Sequence, residues 1–193
     1  MMKKIMFNDR YGLTEAVLEG RKTQTRRFVC VLLSPFRYVN GKRIQGDVLV
    51  DETIERCARY KIGEVVAIAQ AYGDVKASRN FLEDAEYICK TKNTAGWKNK
   101  MFVKADLMPR HIKITNIRLE RLQDISDEDC LKEGILDMPD PMNPLASIYT
   151  FSGSEEMFYS ARKAYASLID KVSGKGGWNK NPYVFVYDFE LVD

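Results

Sequence analysis

Gly20-Arg21-Lys22-Thr23-Gln24-Thr25-Arg26-Arg27 sets four positive charges and two hydroxyls into eight residues. It marks where the first helix stops and a strand takes over, and so bears directly on the fold class. Upstream, Asn8-Asp9 can cap a helix predicted over 10–19, with Leu13, Val17 and Leu18 as its apolar stripe. Gly20 stands where a left-handed residue closes a helix. Downstream, residues 27–33 turn apolar and β-branched, as a strand does. Cations are favoured just past a helix C-terminus, and the surplus of charge here suits an anionic or electron-rich ligand. Lys22 lies among Arg21, Arg26 and Arg27, and like charges lower a lysine pKa. A neutral lysine is a base toward a hydroxyl, here Thr25 or Thr23. On a straight strand Lys22 and Thr25 would face opposite ways, so they cooperate only if the chain bends. A run of charges is also an ordinary solvated face. The residues alone leave enzyme chemistry and anion binding both open.

The chain of 193 residues fits a single domain, 1–193, large enough to bury a core unaided. With 45% hydrophobic and 30% charged residues it reads as globular, not disordered. A net charge of +3 is too small to demand a nucleic-acid partner. Four cysteines without CxxC spacing and a single histidine, His111, argue against zinc and for free thiols in a reducing cytoplasm. The N-terminal residues lack the apolar run of a signal peptide, and no stretch approaches a membrane span. The expectation is therefore an intracellular, cytoplasmic protein with no membrane partner.

Elsewhere, 4–7 reads as a first strand and 37–44 as a hairpin turning on Asn40-Gly41. Residues 48–60 fit a strand passing into a short helix. Lys61 to Glu64 reads as a turn, and 65–72 as a strand buried on both faces. A polar excursion follows to residue 100, helical near 81–89, and then a strand over 101–107. The alternation over 111–122 slips once, as a bulge would make it do. Ser126 caps a short helix with Asp129 at its third position, ending at Glu133-Gly134. Pro139, Pro141 and Pro144 mark a loop. A helix is predicted over 155–172 and a closing strand over 183–191. Strands and short helices do not alternate regularly, which argues for an α+β or small-barrel fold.

Glu133 opposes the dipole of its own helix, so either it is merely exposed, or its pKa is raised, or a cation from elsewhere neutralises it. Lys22 is a natural candidate. Trp178, beside Asn181-Pro182, is either core or a stacking platform for a base. Gln70 could read a polar edge or bond the backbone. His111 has no catalytic role.

Taken together these residues resemble a family. Gly20 to Arg27 is similar to the Gly-x-Lys-x-x-x-x-Arg signature of ASCH domains, which share a β-barrel with PUA domains. Lys61-Ile62-Gly63-Glu64-Val65-Val66, the run from Leu122 through Glu133-Gly134-Ile135, and Trp178 to Phe189 resemble later family segments in the same order. The resemblance covers somewhat more than half of the chain. It implies a PUA-like β-barrel with peripheral short helices and inserted segments near 31–60, 76–109 and 137–159. It also implies recognition of RNA or a modified nucleoside. Some small ASCH proteins hydrolyse the amide of N4-acetylcytidine, and their lysine, threonine and glutamate correspond to Lys22, Thr25 and Glu133. Arg21, Arg26, Arg27, Gln70, Trp178 and Asn181 would contact the substrate or nucleic acid, with neither metal nor cofactor. Two further readings stand beside this one: an RNA-binding module without turnover, and a protein-interaction scaffold built on the insertions.

Overall fold

The computed structural model describes residues 2–29, 36–39, 42–45, 57–75, 81–143 and 145–192. It is a mixed α+β structure. The main sheet has five strands in the order β1-β5-β6-β9-β2. These are β1 Lys4–Ile5, β2 Gln24–Phe28, β5 Val65–Ile68, β6 His111–Arg121 and β9 Tyr183–Leu191. β1 runs parallel to β5 and the remaining pairs are antiparallel. The hairpin forms from β3 Phe36–Val39 and β4 Lys42–Gln45; its Asn40-Gly41 turn lies outside the described residues. β7 Leu136–Pro139 pairs with β8 Ser147–Thr150. Among the described residues four α-helices accompany them: α1 Leu13–Leu18, α2 Phe81–Thr91, α3 Asp127–Lys132 and α4 Ala161–Ser173. β1 and β2 are the two edges of the main sheet and do not pair with one another among the described residues, so the sheet is open there.

β9 shows why this sheet holds. Its period-2 pattern sends Phe185, Tyr187 and Phe189 into one core with Ile5, Phe7, Val17, Val66, Ile68, Ile112 and Ile114. Val184 and Val186 go to the opposite core, with Leu122, Ile125, Cys130, Phe151, Tyr165 and Leu168. The bulge expected in β6 is present, as a register shift between Ile114 and Asn116.

Several expectations need correcting. The first helix is not continuous from residue 10. Asn8 caps a short 3-10 turn, Asp9–Tyr11, and Gly12 at φ 61° breaks the chain before α1. The strand after the basic stretch begins inside it, at Gln24, and its extension over 30–33 lies outside the described residues, as does most of 48–60. The apolar strand at 65 stops at Ile68. Residues 101–107 form 3-10 turns, Lys100–Phe102 and Ala105–Leu107, and Lys4 Nζ takes the carbonyls of Met101 and Val103 at 2.7 Å each. The proline-marked loop contains β7, with Pro139 at its end. α4 starts only at Ala161, because Ser160 caps it and Phe158 bridges to Tyr149. Among the described residues no helix is long and apolar enough to cross a membrane.

Candidate active site

The site is built on the end of α1, the start of β2 and the end of α3. Backbone bonds fix the entry to β2. Lys22 N–H donates to the Ala16 carbonyl at 2.9 Å, and Thr23 N–H donates to the Lys132 carbonyl at 3.0 Å. Gly20 at φ 74° turns the chain out of α1, and Gly134 at φ 103° turns it out of α3. Any Cβ on Gly134 would sit 3.3 Å from Leu13 and 3.7 Å from the Lys22 stem. The helix ends thus bring Lys22 against the end of α3, with its amine 111 positions away in sequence from its main partner.

That partner is Glu133. Lys22 Nζ donates to Glu133 Oε2 at 2.6 Å, to the Glu133 carbonyl at 2.8 Å and to the Gln24 carbonyl at 2.7 Å. Lys22 is 2% exposed and Glu133 4%. The ammonium resolves the misfit noted in the sequence: it supplies, from another element, a cation at the C-terminus of α3 beside the buried carboxylate. The second carboxylate oxygen accepts from Arg26 Nη1 at 3.1 Å. Arg26 also reaches Glu120 at 2.6 Å and Asp129 at 3.1 Å. Gln24 Nε2 and Arg118 both donate to Asp188, which extends the polar network beside the site.

Burial pushes the Lys22 pKa below the ordinary lysine value; Glu133 opposes this, and Arg27 and Arg26 add to it. The like charges visible in the sequence are therefore the lesser cause, and burial the larger. Burial also lowers the Arg27 pKa.

A cleft of about 510 Å³ opens beside this pair. Lys22, Thr25, Arg26, Arg27 and Glu133 line it. Alternation puts Thr25 and Arg27 on one face of β2 and Gln24 and Arg26 on the opposite face, and the cleft takes lining residues from both faces of this edge strand. The wall that follows β1 carries Met6, Phe7 and Asp9; the wall from α4 carries Tyr165, Leu168, Ile169 and Val172. Arg27 Nη2 donates to the Met6 carbonyl at 2.6 Å, and its buried Nε has no hydrogen-bond partner among the described residues. The Phe7 ring lies 5.9 Å from Lys22 Nζ and 5.7 Å from the Arg27 guanidinium. Thr25 is 5% exposed, and its hydroxyl has no hydrogen-bond partner among the described residues.

The structure therefore brings together Lys22, Thr25, Glu133, Arg26 and Arg27. It does not bring in the remaining four. Arg21 points to the surface and pairs with Glu19 at 2.6 Å. Gln70 lies outside the cleft lining, its N–H donating to Met108 Sδ at 3.4 Å. Trp178 is half-buried and packs edge-on against Tyr165, with ring centroids 6.1 Å apart, and it is not among the residues lining the cleft. Asn181, at φ 43°, accepts from Gln123 N–H and serves the turn before β9. Sequence reasoning missed Phe7, Lys100 and the α4 wall. Lys100 enters the cleft from the 76–109 segment, donating to Asp9 at 2.7 Å and to the Phe7 carbonyl. No local signal marks it; the i, i+3, i+4 spacing of Tyr165, Leu168 and Ile169 is that of any apolar helix stripe and does not by itself point to a cleft.

No group of three His, Cys, Asp or Glu side chains is placed to hold a metal among the described residues. Cys57, Cys89 and Cys130 are free thiols, and burial pushes the Cys130 thiol up to about 12. Compared with family models, with curated proteins and with solved structures, the chain gives no match.

Proposed function

We propose that the cleft hydrolyses an amide on a modified nucleoside of the N4-acylcytidine type, in an intracellular ASCH-like protein. The observation that carries this reading is the buried Lys22–Glu133 pair at 2.6 Å in the lining of a cleft that Thr25 also lines. In the resting site Lys22 Nζ faces three acceptors and therefore holds its proton. Burial weakens that hold. The lysine proton passes to Glu133, and the free amine then takes the proton of Thr25, or of a water that Thr25 orients. The new C–O bond forms at the amide carbon, the C–N bond breaks, and Glu133 passes its proton to the leaving amine. If Thr25 attacks, water then cleaves the resulting ester by the same route and restores the hydroxyl. Arg27 Nε, without a hydrogen-bond partner among the described residues, is a donor for an oxyanion or phosphate.

We also read the main sheet as the PUA-like part of the chain. Support comes from the approach of its two edges: the residue after β1, Met6, accepts a hydrogen bond from Arg27 on β2.

One observation favours a binding module without turnover. No hydrogen bond joins Lys22 to Thr25 among the described residues, and the saturated ammonium also suits a purely structural ion pair. Incubation of the pure protein with N4-acetylcytidine separates the two. Cytidine release that is lost in Lys22→Met supports the hydrolase. No release, together with RNA binding that weakens with salt and in Arg27→Ala, supports the module.

A further inference from the structure

Tyr165 lines the cleft and has no part in the proton route just described. It sits on the inward face of α4 with Ala161, Ala164 and Leu168, and is 1% exposed. It nevertheless lines the cleft beside Glu133 and Arg26. Among the described residues its hydroxyl has no hydrogen-bond partner. Phenylalanine would fill the same space, and a hydroxyl in the cleft wall that makes no internal bond is open to a bound molecule.

The neighbouring groups show why the hydroxyl is left over. The Lys22 amine spends its three donors on Gln24 and Glu133. Each Glu133 oxygen accepts a charged donor, one from Lys22 and one from Arg26. Arg26 is committed to Gln24, Glu120, Asp129 and Glu133. None of these groups takes the tyrosine's proton, so it is available to a bound molecule.

We propose that Tyr165 is a ligand-contacting residue, its hydroxyl donating a hydrogen bond to the carbonyl oxygen of the amide that Thr25, or the water it orients, attacks. This rests on the hydrolase reading above. The ring is already held: Trp178 packs edge-on at 83° and 6.1 Å, and α4 fixes the backbone. A donor fixed in advance is the kind that stabilises a developing oxyanion. Burial, reinforced by Glu133, raises the Tyr165 pKa well above its ordinary value, so the hydroxyl stays protonated and able to donate.

The test is Tyr165→Phe, compared with wild type by thermal unfolding and by kcat and KM for release of cytidine from N4-acetylcytidine. The Tm is expected to hold or rise, because no internal bond is lost, while kcat falls on the order of 10²-fold with a smaller change in KM. Unchanged kcat and KM overturn the proposal. So does a fall in Tm, which would reveal a structural bond. If wild type releases no cytidine, the hydrolase reading fails, and Tyr165 is judged by calorimetric binding of intact N4-acetylcytidine. Binding weakened about tenfold in the variant, the loss expected of one hydrogen bond, sustains the contact. Equal binding by both proteins, or binding by neither, overturns it.

Discussion

Replacing Glu133 by Gln preserves the shape of the side chain and one oxygen acceptor but removes the charge that Lys22 and Arg26 share. The size of the effect follows from the geometry. At an effective dielectric of about 20, unit charges 2.6 Å apart attract by roughly 6 kcal/mol. Part of that offsets the cost of taking both groups out of water. What the substitution exposes is a buried ammonium left with neutral oxygen acceptors alone. Breaking a buried pair from one side costs about 3–5 kcal/mol. For a chain of this size that corresponds to a fall in Tm of roughly 6–20 °C. Lys22→Met is expected to cost less, because Glu133 keeps Arg26 at 3.1 Å. Arg26 in turn keeps Glu120 and Asp129 in either variant. The assay is a double-mutant cycle by urea unfolding of wild type, Lys22→Met, Glu133→Gln and the double variant. A coupling energy above about 1.5 kcal/mol is expected for groups in direct contact. Additivity within about 0.5 kcal/mol would refute the claim that the two side chains act as a unit.

Three further outcomes follow from the same contacts. Gly134→Ala forces a side chain onto a φ of 103° against Leu13, and should cost more than about 1 kcal/mol in urea unfolding. Arg26→Lys cannot reproduce the fork that spans Glu120, Asp129 and Glu133; the Tm should fall by several degrees, and a Tm within about 1 °C of wild type would contradict the network. Because the Lys22 pKa is lowered on folding, the unfolded chain binds the extra proton between that lowered value and the ordinary 10.5. Stability of wild type relative to Lys22→Met should therefore rise with pH across that window and be flat below it, as read from paired pH titrations of urea midpoints.

Part of this site was legible in the sequence through an electrostatic misfit. Glu133 at a helix C-terminus asks for a cation, and Lys22 follows another helix end; the structure joins them. The closing strand and the bulged strand were legible because a period of two, slipping once, suits an extended chain and not a helix. What failed had no local signature. Trp178 and Asn181 were chosen for their residue types, but an aromatic beside a turn is as useful to packing, and the half-buried Trp178 ring lies against Tyr165 outside the cleft lining. Gln70 was placed from its strand, yet that strand stops at Ile68. Met101 to Leu107 has a strand's composition, and only the distant Lys4 reveals that its carbonyls turn elsewhere. Tyr165 and Lys100 reach the cleft through tertiary packing of a late helix and an inserted segment, which no spacing in the chain encodes.

Proton transfer by the Lys22–Glu133 pair during amide cleavage is tested most directly by the pH dependence of cytidine release from N4-acetylcytidine. Wild-type protein is compared with folded Lys22→Met. The expected result is release whose kcat/KM falls as pH rises through a lysine pKa below 10.5, where the pair loses the proton that the route hands to the leaving amine, and which disappears in the variant. Absence of release at every pH, or release that persists unchanged in Lys22→Met, would contradict it.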